Sequence, residues 1–320
     1  MRIYSVNVNG TSRLAVKAAG GGFVDLQKAY EGWLVEEGKC SSEAAARSLA
    51  ATLIPDDLVR LIEMGKMGAE ACEAAAGFAS RQPAGPWQLP EDGVRIEAPL
   101  KTPRKFFCIG LNYRAHAAES NKPLPKEPLF FNKFATSIVG PYDPVIHQGP
   151  GVTEKLDYEV ELAVVIAKRA KNVTEAEAEE YVYGYTVVND VSARDLQKSD
   201  GQWVKGKALD TYAPLGPCVV TRDAIDASDL ALRTRVNGEL RQESRTSDLI
   251  FKVPQLIAYL SRLITLEPGD IIATGTPSGV GGAMNPPRFL QPGDVVECEI
   301  EGIGVLRNPI VAERQVAQVV

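Results

Sequence analysis

Two glutamates stand two residues apart in the run Asp157-Tyr158-Glu159-Val160-Glu161-Leu162-Ala163-Val164-Val165-Ile166. Side chains alternate along a strand, so Glu159 and Glu161 share one face, which continues into Ala163 and Val165. The other face carries Val160, Leu162, Val164 and Ile166. Both faces are apolar from Leu162 onward, which puts the two carboxylates at the mouth of a core. Paired carboxylates there repel each other and resist desolvation unless a cation neutralises them. A hard divalent ion (Mg2+, Mn2+ or Ca2+) is the natural partner. E-x-E is nevertheless common, and on spacing alone a strand end with two solvated glutamates is the stronger reading.

Two further runs shift that balance. Asp190 ends the apolar stretch Val187-Val188-Asn189, where a third oxygen ligand could sit. Arg194, Asp195 and Gln197 follow closely, and a guanidinium beside a metal site can clamp a substrate carboxylate bidentately. Helix capping by Asp190 and a surface ion pair for Arg194 are the plain alternatives. If residues 113–119 form a helical turn, His116 and Glu119 share a face at i, i+3. A carboxylate orients an imidazole and favours its work as a general base near neutral pH. An ordinary surface pair would use the same spacing. Lys205-Gly206-Lys207 offers cations in a Gly-containing loop, and Thr274–Gly281 is a Gly/Ser/Thr loop that could present N–H and hydroxyl groups to an anion.

The elements that must position these residues fall into three zones. Residues 1–95 open with the alternation Arg2–Val8 and a break at Gly20-Gly21-Gly22, as in a small hairpin or sheet. Helices are expected from Ser41-Ser42-Glu43, from Pro55-Asp56-Asp57, and over the Ala-rich stretch 69–79. Pro83 to Asp92 reads as a linker. From about residue 100, short apolar strands alternate with loops: 106–109, 162–166 and 185–188, with a short Thr-capped helix from Thr174. The last zone holds an amphipathic helix over 254–264, then strands at 271–274, 295–300 and 304–307. The expectation is an α+β, β-rich fold, with a small N-terminal α/β domain (1–95) and a catalytic domain (96–320).

Composition narrows the function classes. The chain has 320 residues and net charge −6, the profile of a soluble globular protein and not of a nucleic-acid binder. No run reaches 18 apolar residues, so no membrane span is expected. The five cysteines lack C-x-x-C spacing, which suggests a reducing, cytoplasmic setting. Only two histidines occur, His116 and His147, which excludes His-rich zinc, iron or copper sites and leaves carboxylates as ligands.

Taken together, residues 100–312 resemble the fumarylacetoacetate hydrolase superfamily. The marks appear in the family's order: CIGLNYRAHAAE (108–119), PLFFNKFATSIVGP (128–141), LDYEVELAVVI (156–166), VVNDVSARDLQ (187–197), KGKALDTYAPLGP (205–217) and IIATGTPSGVG (271–281). The resemblance implies a mixed β-sandwich roll, a homodimer, and Mg2+ or Mn2+ (Ca2+ in some crystals) held by Glu159, Glu161 and Asp190. It implies His116 and Glu119 as a lid-borne catalytic pair, Lys207 as the catalytic lysine, and Arg194, Gln197 and Thr276 as substrate contacts. Fumarylacetoacetate hydrolase itself has an extra aspartate ligand where this chain has Ile109, which implies the three-carboxylate, acylpyruvase-like branch.

The substrate expected from the resemblance is a small 2-oxo acid, with neither nucleic acid nor membrane as partner. The leading expectation is hydrolysis of the C3–C4 bond of a 2,4-dioxo acid: an acylpyruvate, fumarylpyruvate or a diketo-deoxy sugar acid. His116 would activate water, while the metal and Lys207 stabilise the pyruvate enolate. The alternative is oxaloacetate decarboxylation, or dienoate isomerisation or hydration, on the same site. A non-catalytic metal-binding protein is the reading from another class. Such a site should close on its substrate, so residues 113–127 are expected to be mobile without ligand.

Overall fold

A strand flanked on both sides and covered on both faces needs apolar residues at every position, and Val160–Ile166 has that character beyond Glu161. In the computed structural model, which describes residues 1–82, 84–90 and 92–313, every residue of this strand is buried. It pairs antiparallel with Val182–Asn189 on one side and with Ile271–Ala273 on the other. Ile271–Ala273 pairs parallel with Phe106–Gly110, which pairs with the edge strand Leu129–Asn132. On the far side Val182–Asn189 pairs with Ala213–Thr221, and that strand pairs with Arg2–Val8 through Val220 and Val219.

The N-terminal strands therefore extend the central sheet: Thr11–Lys17, Phe23–Asp25 and Gln88–Leu89 follow in order. The expected hairpin break at Gly20-Gly21-Gly22 lies between the first two of these. The segment from Pro83 to Asp92 is more than a linker, because Gln88–Leu89 pairs with Phe23 and Val24. Pro83 and Glu91 of that segment lie outside the described residues.

Each face of the sheet has its own cover. Ala163 and Val165 pack with the helices Leu26–Glu36, Glu43–Leu53, Leu58–Glu63 and Gly65–Arg81. Leu162, Val164 and Ile166 pack with the helix Val253–Leu263 and a second sheet. That sheet runs in the order 239–245, 231–236, 295–300, 304–312 and 145–147. The architecture is the β-rich α+β sandwich that the sequence leads one to expect, with helices stacked outside the central sheet.

Three local expectations change. Leu26–Glu36 is helical although the sequence reading left it unassigned; its N-cap Asp25 ends a strand directly and accepts from Lys28 N–H at 3.0 Å. Asp57 caps Leu58–Glu63, so Pro55 lies before the helix and not near its first helical position. After Thr174 the chain forms the 3₁₀ turn Ala178–Tyr181 in place of an α-helix. There the Thr174 hydroxyl donates to Glu177 at 2.6 Å, so it does not cap a helix.

Candidate functional site

The register of two strands brings the acidic residues together. Val160 stands opposite Asn189, so Glu159 and Asp190 lie side by side just beyond the paired ends. Asp190 N–H donates to the Glu159 carbonyl at 2.8 Å, and Glu159 N–H to the Asn189 side chain at 3.0 Å. Glu161, one step into the strand, completes the cluster: Glu159, Glu161 and Asp190 each offer an oxygen within 4.8 Å of the others. All three are buried, so the solvated strand end is ruled out.

Buried carboxylates need cations, and three are present. Lys207 Nζ bonds Glu159 Oε2 at 2.6 Å and Asp190 Oδ2 at 2.8 Å. Arg194 Nη2 pairs with Glu159 Oε1 at 2.7 Å. Lys133 Nζ pairs with Asp190 Oδ1 at 2.7 Å and donates to the carbonyls of Val191, Tyr212 and Lys207. Burial opposes the charge on Glu159, but Lys207 and Arg194 outweigh it and hold this carboxyl well below the usual range. Burial pushes Glu161 well above that range, and the charges of Asp190 and Glu159 push it further. Glu161 has one strong local donor, Gly275 N–H at 2.8 Å. Burial opposes the Lys207 charge too, yet Asp190 and Glu159 raise its pKa. With Asp157, four buried carboxylates face three buried cations, a site short of positive charge. Three hard oxygen donors with that deficit suit a divalent cation such as Mg2+ or Mn2+.

His116 and Glu119 line the same cavity as Glu159 and Glu161, of about 690 Å3. His116 and Glu119 lie on the helix Arg114–Glu119, with Nδ1 of the ring 2.7 Å from Glu119 Oε1. Glu119 Oε2 accepts from Gly279 N–H at 2.9 Å, which ties the helix to the loop after Ile271–Ala273. With Nδ1 engaged, Nε2 is the ring atom left to serve the cavity.

His116, Glu119, Glu159, Glu161, Arg194, Gln197, Lys207 and Thr276 line that cavity, whereas Asp190, Asp195 and Lys205 do not. Arg194 differs from a free clamp. Its Nε donates to Asp157 at 2.8 Å and its Nη1 to Gln197 at 3.0 Å, besides the pair with Glu159. Its side chain is buried, which rules out a surface ion pair. The Thr276 hydroxyl donates to the Val160 carbonyl at 3.0 Å and accepts from Gln242 at 2.9 Å. Ile109 also lines the cavity, and among the described residues no fourth acid joins the cluster.

Sequence reasoning missed Lys133 and Asp157. Lys133 follows the strand Leu129–Asn132, and a lysine at the end of an apolar strand was the available signal. Asp157 shares strand parity with Glu159 and Glu161. His147 stands apart, in the second sheet.

The profile described as "Fumarylacetoacetate (FAA) hydrolase C-terminal" matches residues 105–311. The chain belongs to the fumarylacetoacetate hydrolase family. Among curated members, oxaloacetate tautomerase fahd2, mitochondrial, of Xenopus laevis is 48% identical over 261 residues, covering 81% of this chain and 79% of that protein. A fumarylacetoacetate hydrolase from psychrophilic Exiguobacterium antarcticum superposes with a TM-score of 0.76 at 36% identity, covering 98% of this chain and 100% of that one. The maleylpyruvate hydrolase of Sphingobium sp. SYK-6, solved with manganese(II) and pyruvate, gives 0.72 at 29% identity, covering 98% and 99%. Members of the family are enzymes, and the cluster Glu159, Glu161 and Asp190 could hold a divalent ion. Among the described residues no helix is long and apolar enough to cross a membrane.

Proposed function

We propose that this enzyme interconverts the enol and keto forms of oxaloacetate or a closely related 2-oxo acid. The observation that carries the reading is the 48% identity to an oxaloacetate tautomerase across most of both chains. The site offers what the reaction needs. In going from enol to keto, the C2 hydroxyl loses a proton, C3 gains one, and the double bond moves from C2–C3 to C2–O. His116 Nε2 takes or delivers the proton, and Glu119 steadies the imidazolium through Nδ1. Mg2+ or Mn2+ on Glu159, Glu161 and Asp190 would supply Lewis-acid polarisation and a template for the 2-oxo carboxylate. Lys207 and Arg194 add fixed positive charge beside the oxygen that carries the enolate. A cytoplasmic setting fits the five free thiols.

A second reading is hydrolysis of the C3–C4 bond of an acylpyruvate. It is favoured by the His116–Glu119 pair, which could equally activate water, and by the likeness to a maleylpyruvate hydrolase. One assay separates the two. Enol-oxaloacetate is followed by its ultraviolet absorbance, with pyruvate coupled to NADH oxidation, in Mg2+, Mn2+ or EDTA. Acetylpyruvate and fumarylpyruvate run in parallel. Accelerated loss of enol without pyruvate, abolished by EDTA, supports the tautomerase. Pyruvate from oxaloacetate makes it a decarboxylase. Pyruvate from the dioxo acids alone overturns the tautomerase in favour of the hydrolase.

A further inference from the structure

Neither the metal cluster nor the acid/base pair includes Asp157, yet its carboxylate lies between them. The residue is fully buried and accepts four hydrogen bonds. On one side Arg194 Nε donates to Oδ2 at 2.8 Å, and the same guanidinium pairs through Nη2 with the cluster's Glu159. On the other side Gly281 N–H donates to Oδ1 at 2.8 Å and Gly282 N–H to Oδ2 at 2.9 Å. The fourth donor is the neighbouring N–H of Tyr158, at 3.0 Å. Gly281 and Gly282 belong to the same loop as Gly279, whose N–H holds Glu119 and through it His116.

The loop is built for this approach. A Cβ at Gly281 would stand 2.8 Å from Asp157 Oδ1 and 2.2 Å from the Arg288 carbonyl, so only glycine lets the backbone reach the carboxylate. Gly279 has φ +103, and a Cβ there would meet the Arg241 carbonyl at 2.0 Å.

We infer that Asp157 is a positioning residue that couples the two halves of the site: its Oδ2 fixes Arg194 against Glu159, and its two oxygens together hold the 279–282 loop, hence Glu119 and His116. The inference rests on the proposed function only in taking His116 as the group that moves the proton. The chain of contacts runs Glu159–Arg194–Asp157–Gly281/Gly282–Gly279–Glu119–His116. Asp157→Asn keeps the shape but turns an NH2 toward at least one existing donor, Arg194 Nε–H, Gly281 N–H or Gly282 N–H. With the NH2 at the Oδ1 position Gly281 loses its acceptor; at the Oδ2 position both Arg194 and Gly282 do, so the loop is loosened in either rotamer. Displacements of this kind, well under a bond length, are enough to slow a positioned proton transfer.

The test uses the full-length protein labelled with 15N-histidine. With two histidines in the chain, the ring spectrum holds His116 and an internal control, His147. The hydrogen-bonded ring N–H of His116 should give a protected signal that broadens or shifts in Asp157→Asn, while the His147 signals stay in place. Gly282→Ala puts a Cβ 3.1 Å from Asp157 Oδ2 and should move the same signal less; it carries the test if Asp157→Asn does not fold. In kinetics, Asp157→Asn should lower kcat roughly 10- to 100-fold with little change in KM. Combined with Glu119→Gln it should cost less than the product of the single losses, because both act on His116. A His116 signal unmoved in both variants, or kcat losses that multiply, would overturn the inference. Should no 2-oxo acid be turned over, the ring signals decide the coupling without reference to the reaction.

Discussion

Glu161 rides on a strand covered on both faces, with Glu159 and Asp190 just beyond the ends of that strand and its neighbour, whereas His116 and Glu119 ride on a helix of six residues. Asp190 has no exposed side-chain surface; the Glu119 side chain is 21% exposed. The cluster is held by register, by three buried cations and by neighbouring backbone. The pair is held by the Gly279 N–H on Glu119, by the bridge from Tyr113 to Leu249 and, just before the helix, by the bonds of Asn112 to Ile250, Phe251 and Thr274. The difference teaches a division of labour. A cation site needs ligands that stay put, so it belongs in the stiffest part of the sheet. A short helix at the cavity wall can shift at lower cost than a central strand.

That contrast can be broken by substitution. The largest expected effect is on the short helix: His116→Ala should reduce turnover by about 10²- to 10⁴-fold while Mn2+ affinity, measured by calorimetry, stays unchanged. Joint loss of both would mean that the His116 ring itself helps to hold the ion. Next comes the sheet side. Lys133→Met leaves Asp190 without its fully buried partner and should cost about 3–5 kcal/mol in urea unfolding. A smaller loss would show that Lys207 alone balances Asp190. Glu159→Ala should weaken Mn2+ binding about 100-fold or more; unchanged affinity would refute the ligand assignment.

The smallest effect sharpens the comparison through pH. Burial and two neighbouring carboxylates raise Glu161, so the ion-free site holds a proton there above the pH at which ordinary glutamates ionise. Ion binding must displace that proton. Affinity should therefore climb with pH below the raised pKa, by up to about tenfold per unit, and level off above it. Calorimetry in two buffers of different ionisation enthalpy should detect one proton released per ion. No release would mean that Glu161 is already ionised.

The same division governs what the sequence disclosed. Glu159, Glu161 and Asp190 were legible because strand alternation and a strand end are local patterns. His116 and Glu119 were legible as an i, i+3 pair on a turn. Lys133 and Asp157 were not, because their meaning is long-range. Lys133 reaches Val191 and Tyr212, 58 and 79 residues away, and Asp157 reaches Gly281 and Gly282, 124 and 125 away. Nothing adjacent to either residue announces such partners. Arg194 was found but its engagements were not, since its partner Asp157 was itself unrecognised. The helix Leu26–Glu36 escaped because its cap doubles as the last residue of a strand, with no intervening turn to mark the change.

The pairing of Arg2 and Ile3 with Val220 and Val219 has a consequence for biogenesis. Met1 contacts Thr221, 220 residues downstream, so the strand Arg2–Val8 gains its full set of neighbours only after that later segment is made. At a synthesis rate of about 5–20 residues per second, that strand waits roughly 10–40 s for its partner to emerge. Until then its apolar side chains Ile3, Tyr4 and Val6, all buried in the finished protein, are sheltered only by local partners such as Thr11–Lys17. A nascent sheet with an open edge for that long invites pairing with another chain. Recovery of folded enzyme should thus depend on translation speed and on chaperone supply more steeply than its final stability would suggest.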